Sequence, residues 1–284
     1  MQSEADNPVL MAGEFDADRR ETRVAGGDCI AYTRPAPDKE TGNEDSVAVI
    51  PFGPEAAVLV VADGAGGLPA GKRASQTAVT TLIESLEHSI AETMLLRTAI
   101  LNGIEAANQA VQALGTGSAT TFTVVTIEGI AVRAYQIGDS EAMVVGQRGR
   151  LKLQTPVHSP TGFAVEAGLL DQRDALHHED RHLVSNFLGT TDMRIDIVAA
   201  TELNPRDTVF LASDGVSDNV HNDEIIERIR CGPLAKAADS VIALAAERMH
   251  EPVANQPSKP DDLSLILFRK PNRGPVRKPR AAGS

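Results

Sequence analysis

An α+β fold with mostly antiparallel sheet is predicted by three features of this 284-residue chain. Two long amphipathic helices precede a block of β-branched strands divided by two-residue breaks. Further helices and a closing strand follow that block. No stretch rich in Pro and Gly splits the nearly continuous apolar pattern between the two ends.

In chain order, Val47 to Ile50 and Val58 to Ala62 read as short strands, the second apolar on both faces and therefore buried. Ala78, Leu82, Leu86 and Ile90 mark one stripe of a long helix. Leu96, Ile100, Ile104, Ala107, Val111 and Leu114 mark a second, which Gly115 and Gly117 end. Strands follow at Thr120 to Ile127, Ile130 to Ile137 and Ala142 to Val145. The breaks at Glu128-Gly129 and Gly138-Asp139 predict antiparallel hairpins. Ser159-Pro160 opens a short helix that Gly168 closes. Residues 171–193 are polar and carry no clear period. Strands return at Ile195 to Ala199 and Thr208 to Ala212, then helices near Asp223 to Arg230 and Leu234 to Met249, then a strand from Leu263 to Phe268.

Three segments are expected: a flexible acidic lead-in over 1–20, one domain over 21–268, and a basic disordered tail over 269–284. Hydrophobic residues make up 42% and aromatics 3% with no Trp, so the core must rest on Val, Leu, Ile and Ala. This composition excludes a disordered chain, a collagen-like chain and a disulfide-stapled mini-domain. The two cysteines, Cys29 and Cys231, are too few for a disulfide framework and point to a reducing cytoplasm. Net charge is −12, yet six Lys/Arg and no acid lie from Arg269 onward, leaving the body at −18. A body so acidic repels a phosphate backbone, so no nucleic-acid partner is expected. The longest apolar run, Ala56 to Ala62, falls far short of the ~20 residues of a membrane span. Met1 to Asp18 is acidic and lacks the apolar stretch of a secretory signal.

The functional signal lies in where the acids fall. Asp63 and Asp214 follow apolar strands, Asp139 follows Ala134 to Ile137, and Asp261-Asp262 and Glu44-Asp45 precede strands. One Asp-Gly at a strand end is ordinarily a turn former. Carboxylates beside five strands of one sheet system are costly unless paired or bound to a cation. Gathered at one edge they make an all-oxygen cluster suited to Mg²⁺ or Mn²⁺, whereas zinc would call for His or Cys. Two such ions about 3.5–4 Å apart can lower the pKa of a shared water and aim it at phosphorus.

The series Asn43-Glu44-Asp45, Ala62-Asp63-Gly64-Ala65-Gly66-Gly67, Gly138-Asp139-Ser140, Ser213-Asp214-Gly215 with Asp218, and Pro260-Asp261-Asp262-Leu263-Ser264 resembles the metal-dependent serine/threonine protein phosphatases of the 2C type, particularly the bacterial branch. The resemblance runs over roughly residues 24–268. It implies a central antiparallel β-sandwich flanked by helices on both sides, four layers in α-β-β-α order, with a two-metal site at one end. It implies that Asp63 bridges both ions, that Asp214 and Asp261 complete one, and that Glu44 and the Gly64 carbonyl serve the other. Asp45 would orient the attacking water. Asp139, with Asp214 contributing, resembles a ligand of the third, weaker ion of the bacterial branch. The implied substrates are phosphoserine and phosphothreonine proteins, the products of a serine/threonine kinase, cleaved without a phosphoenzyme.

Two positions depart from that pattern. Glu40 stands where the family often carries a phosphate-gripping arginine, which leaves Arg34 or Lys39 as substitutes. Ala65 stands where many eukaryotic members have a histidine acid, leaving His158 as a weak candidate and otherwise water. The acid at position 40 also admits a different class of function: an inactive phosphatase-like domain that binds phosphoproteins or acts as a scaffold. Two other motifs compete. Gly66 to Lys72 imitates a P-loop, but Arg73 stands where a Ser or Thr must hold Mg²⁺, and Pro69 removes a cradle N–H. His178-Glu179-Asp180-Arg181-His182 fits a zinc-protease pattern, but no amphipathic helix surrounds it.

Overall fold

The computed structural model describes residues 7–12, 15–65, 71–115 and 117–272. Strands β1 (Val9–Ala12), β2 (Asp18–Val24), β3 (Gly27–Arg34), β4 (Ser46–Pro51) and β5 (Ala56–Ala62) lead into helices α1 (Gly71–Ala91) and α2 (Leu96–Gln112). Strands β6 (Phe122–Glu128), β7 (Ala131–Ile137), β8 (Glu141–Val145) and β9 (Leu151–Gln154) follow, then the short helices α3 (Pro160–Glu166) and α4 (Gln172–Ala175). The chain continues through β10 (Asp196–Ile197), β11 (Thr201–Glu202), β12 (Thr208–Ala212), α5 (Asp214–Ser217), α6 (Asn222–Ile229), α7 (Leu234–His250) and β13 (Leu263–Arg269).

Two sheets result, ordered β1-β4-β5-β6-β7-β10, with β11 also on β7, and β2-β3-β13-β12-β8-β9. Every pairing is antiparallel. Because successive side chains point to opposite faces, a strand apolar throughout must be covered twice. In β5, Leu59 and Val61 face the other sheet, where Val144, Leu211 and Ile266 meet them. Val58 and Val60 face outward onto Leu82 and Leu86 of α1 and Ile100 and Ile104 of α2. In the second sheet Phe210 and Leu265 face outward onto Ile225 of α6 and Val241 and Ala245 of α7. The layers are therefore helix, sheet, sheet, helix, as the resemblance implied.

Antiparallel pairing explains why the acids meet. Ser46 opposes Ala62, so Glu44-Asp45 before β4 lies beside Asp63 after β5. Ala212 opposes both Leu265 and Glu141, so Asp214 after β12 lies beside Asp261 before β13 and Asp139 before β8.

Several sequence expectations are corrected. The break at Gly138-Asp139 is not a hairpin, because β7 and β8 belong to different sheets. Gly138 makes this crossover possible. Its φ is +99°, and a Cβ there would lie 2.6 Å from the Cβ of Thr121. Within the expected lead-in, residues 9–12 and 18–20 are strand, pairing with β4 and β3. β2 is hard to read from sequence because it is a charged edge strand, Asp-Arg-Arg-Glu-Thr-Arg-Val. Ile90 is 42% exposed, and Ser89 takes the inward place. Four-residue spacing overshoots the 3.6-residue turn and drifts off the stripe. Of the strand expected over 195–199, only Asp196–Ile197 is formed. Arg269 ends β13 instead of starting a tail. Its guanidinium is buried and donates to Thr208 Oγ1 and the Ile229 carbonyl at 2.8 and 2.6 Å. Most of the predicted tail, 273–284, lies outside the described residues. Cys29 and Cys231 are free thiols. Among the described residues no helix is long and apolar enough to cross a membrane.

Candidate active site

Asp45 is buried at the start of β4, and its Oδ2 accepts from Ser213 Oγ at 2.8 Å. Ser213 Oγ accepts in turn from Ser264 N, so the hydroxyl just after β12 ties β13 to the residue that leads into β4. Asp45 Oδ1 is buried with no hydrogen-bond partner. Asp63 has its backbone fixed on both sides. Its N–H donates to Thr121 Oγ1 at 2.9 Å, and its carbonyl accepts from Thr121 N and Thr120 Oγ1 at 2.8 and 2.7 Å. Its carboxylate is left to face the site. Gly64 follows because nothing larger fits. A Cβ there would stand 2.4 Å from the Gly71 carbonyl oxygen and 2.8 Å from that of Glu44.

The Glu44 N–H donates to Asp262 Oδ2 at 2.7 Å. Lys39 Nζ lies 2.7 Å from Glu44 Oε2 and 2.6 Å from Asp262 Oδ2, clamping that corner. Across the site, Lys259 Nζ lies 2.5 Å from Asp214 Oδ2 and 3.0 Å from both Asp218 Oδ2 and Asp261 Oδ2. Asp214 Oδ1 is buried without a hydrogen-bond partner.

The electrostatics record the crowding. Burial, and then the charges of Asp45, Asp214, Asp261 and Asp139, hold the Asp63 carboxyl well above the ordinary carboxylate range. Asp45 is raised by burial and then by Asp262, and Asp139 by burial and then by Asp214 and Asp218. Asp218 and Asp261 are each pushed up to about 6 by burial and by Asp214. Burial works to lower Lys39, but its bonds to Asp262 and Glu44 prevail and raise it. Carboxylates that raise one another in this way have a shared demand for positive charge.

The residues present fit hard divalent ions. The donors are all oxygen, Oδ1 of Asp45 and Oδ1 of Asp214 are buried without a hydrogen-bond partner, and glycine backbone can approach closely. Among the described residues, no group of three carboxylates is already drawn into an ion-coordinating arrangement. The two lysines interleave them instead.

The structure thus brings Glu44, Asp45, Asp63, Gly64, Asp139, Asp214 and Asp261 to one edge, with Lys39 beside them. Arg34 Nε instead donates to the Pro35 carbonyl at 3.3 Å. Glu40 is exposed. Sequence reasoning missed Lys259 as a site residue, though its place two residues before Asp261 was a usable signal. It also gave Asp218 and Asp262 no role of their own.

His158 is buried, and both ring nitrogens are engaged. Nδ1 accepts from Gly138 N at 3.1 Å and meets Asn186 Nδ2 at 2.8 Å, while Nε2 meets Asp196 Oδ2 at 3.1 Å. It holds the crossover in place, with Nε2 directed at Asp196. Residues 179–182 form one 3₁₀ turn that buries no side chain, so its histidines do not face a common metal from a helix. Gly66 to Ala70 of the P-loop imitation lie outside the described residues. A cavity of about 680 Å³ opens from Asp139, Asp214 and Asp218 toward α3, α4 and His221.

The sequence profile of the family Protein phosphatase 2C matches residues 37–255. Protein phosphatase PhpP of Streptococcus pneumoniae is 28% identical over 216 residues, 73% of this chain and 87% of that protein. Serine/threonine protein phosphatase PstP of Mycobacterium tuberculosis is 28% identical over 209 residues, 72% of this chain but only 39% of that protein. Among solved structures, the catalytic domain of PstP in complex with 2 manganese ions is similar in fold, with TM-score 0.65 and 23% identity over 93% of this chain and 99% of that one.

Proposed function

Because this chain belongs to the protein phosphatase 2C family, we propose that it removes phosphate from phosphoserine and phosphothreonine in proteins at the edge where Asp45, Asp63, Asp139, Asp214 and Asp261 meet. It is a serine/threonine protein phosphatase, as its relatives are named. The observation that carries the site assignment is the antiparallel register that brings Asp45, Asp139, Asp214 and Asp261 from separate strand ends into charge contact around Asp63.

In this reading Glu44, Asp63 and the Gly64 carbonyl would hold one ion, Asp63, Asp214 and Asp261 would hold a second, and Asp139 would be available to a third. Bound there, Mn²⁺ or Mg²⁺ supplies the positive charge that activates water and screens the phosphate. Asp45 is suited to orienting the attacking water, because Ser213 fixes Oδ2 and leaves Oδ1 without a partner. The water oxygen bonds to phosphorus as the bond to the seryl or threonyl oxygen breaks, and solvent returns the proton to the departing alcohol. Lys39 supplies the phosphate-facing cation that Glu40 does not. Its partners Glu44 and Asp262 set its ammonium at the rim of the site. The cavity beyond Asp139 and Asp214 has room for residues flanking the phosphorylated one. Such substrates are made by a serine/threonine kinase, and the reaction suits the cytoplasm.

The test is hydrolysis of a phosphothreonine peptide with Mn²⁺, Mg²⁺, Zn²⁺ or a chelator. Activity is expected with Mn²⁺ or Mg²⁺ and not with the chelator. Asp63→Asn is expected to lose roughly 10³-fold or more in turnover while unfolding as cooperatively as the native chain. Wild-type turnover by that variant would overturn the assignment.

A further inference from the structure

Lys259 is not a loose surface lysine that has drifted onto the acids. Its backbone is clamped by the fully buried Asn219, whose Oδ1 accepts from Lys259 N at 2.7 Å and whose Nδ2 donates to the Lys259 carbonyl at 2.8 Å. Asn219 Nδ2 also reaches the Gly215 carbonyl at 2.9 Å, fixing the loop against α5. The neighbouring Ser258 donates to the Arg248 carbonyl at 2.7 Å, and Arg248 donates to the Asn219 carbonyl at 2.8 Å. The ammonium is thereby delivered among three carboxylates, Asp214, Asp218 and Asp261, with its side chain 24% exposed.

One ammonium cannot neutralise three carboxylates, so the corner still favours further positive charge. The ammonium is nevertheless tethered, and its effective concentration there does not fall when the solution is diluted. We infer that Lys259 is a built-in cation that competes with a divalent ion for Asp214, Asp218 and Asp261, so that ion loading at this corner requires its displacement. Lys259 then acts as a positioning residue. It keeps the acidic corner assembled when no ion is bound and sets how much Mn²⁺ the site requires. The inference rests on the ion-binding reading above, and the experiment separates the two.

Mn²⁺ binding to the full chain is measured by titration calorimetry and equilibrium dialysis for wild type, Lys259→Met and Lys259→Arg. Thermal unfolding is followed in chelator and in saturating Mn²⁺. Lys259→Met is expected to bind Mn²⁺ at least about tenfold more tightly, or to gain a further bound ion, while Lys259→Arg stays near wild type. Lys259→Met should also melt lower than wild type in chelator, and Mn²⁺ should close that gap. Lys259→Gln, neutral and shorter, should change in the same direction and serves if the methionine variant does not fold. Unchanged or weaker Mn²⁺ binding by the neutral variants, or equal melting losses with and without Mn²⁺, would show a purely structural strut and overturn the inference. Absence of Mn²⁺ binding by every variant and by wild type would overturn the ion reading beneath it as well.

Discussion

At the residue scale, charge placement decides behaviour, and Lys39 shows it. It is the cation that ion-pairs with Glu44 and Asp262 at the rim. Lys39→Ala is expected to raise KM about tenfold for a phosphopeptide with a smaller change in kcat. An unchanged KM would return the phosphate contact to Arg34. Glu141 gives a pH prediction. Burial pushes its carboxyl from 4.5 up to about 7, against the bonds donated by Gln154 and Asn222. The folded state therefore holds that proton more tightly than the unfolded state does. This contribution to stability is complete below pH 4.5 and declines as pH rises toward about 7. Glu141→Gln keeps the acceptor oxygen and removes the charge. It should be more stable than wild type at pH 8 by on the order of 1–3 kcal/mol and near parity at pH 5, as read by urea unfolding. Equal differences at both pH values would contradict the assignment.

At the element scale, the crossover from β7 to β8 joins the two sheets and aims Asp139 into the site. Gly138 carries it with a φ of +99° and Thr121 packed against its open side. Gly138→Val demands both a disfavoured backbone and space that is occupied. It is expected to cost about 2–4 kcal/mol in urea unfolding and to lower activity beyond what the stability loss explains. A variant as stable as wild type would show that the crossover tolerates another backbone path. From sequence this break predicts a hairpin, because a two-residue Gly-Asp gap between β-branched runs ordinarily makes one. What a local pattern does not reveal is which sheet the next strand joins. The same limit hid β2, whose alternating charges suit an edge strand and look like loop when read alone.

At the scale of the whole molecule, two sheets and two helical layers hold an acidic rim whose groups repel one another. An ion that binds this folded rim and not the unfolded chain must stabilise the fold. Stabilisation of about 2.7 kcal/mol is expected when free Mn²⁺ reaches a hundred times its Kd, with reversal by chelator. The check is calorimetric melting across a Mn²⁺ series. An unmoved melting temperature would mean that the rim does not take up ions.

The sequence by itself determined the alternating apolar strands, the helix stripes and the acids set at strand ends. Those features depend on periods of two and 3.6 residues and on turn chemistry, which are local properties. The motif series also carried the family resemblance, and with it Glu44, Asp45, Asp63, Asp139, Asp214 and Asp261. Only the tertiary structure decided which strands share a sheet, that Gly138 carries the chain between sheets, and that Lys39 and Lys259 reach the acids. Lys39 and Asp262 are far apart along the chain, and their 2.6 Å contact exists only because β3 and β13 pair in one register. Distance between charges is a property of the packed fold, and no local period encodes it.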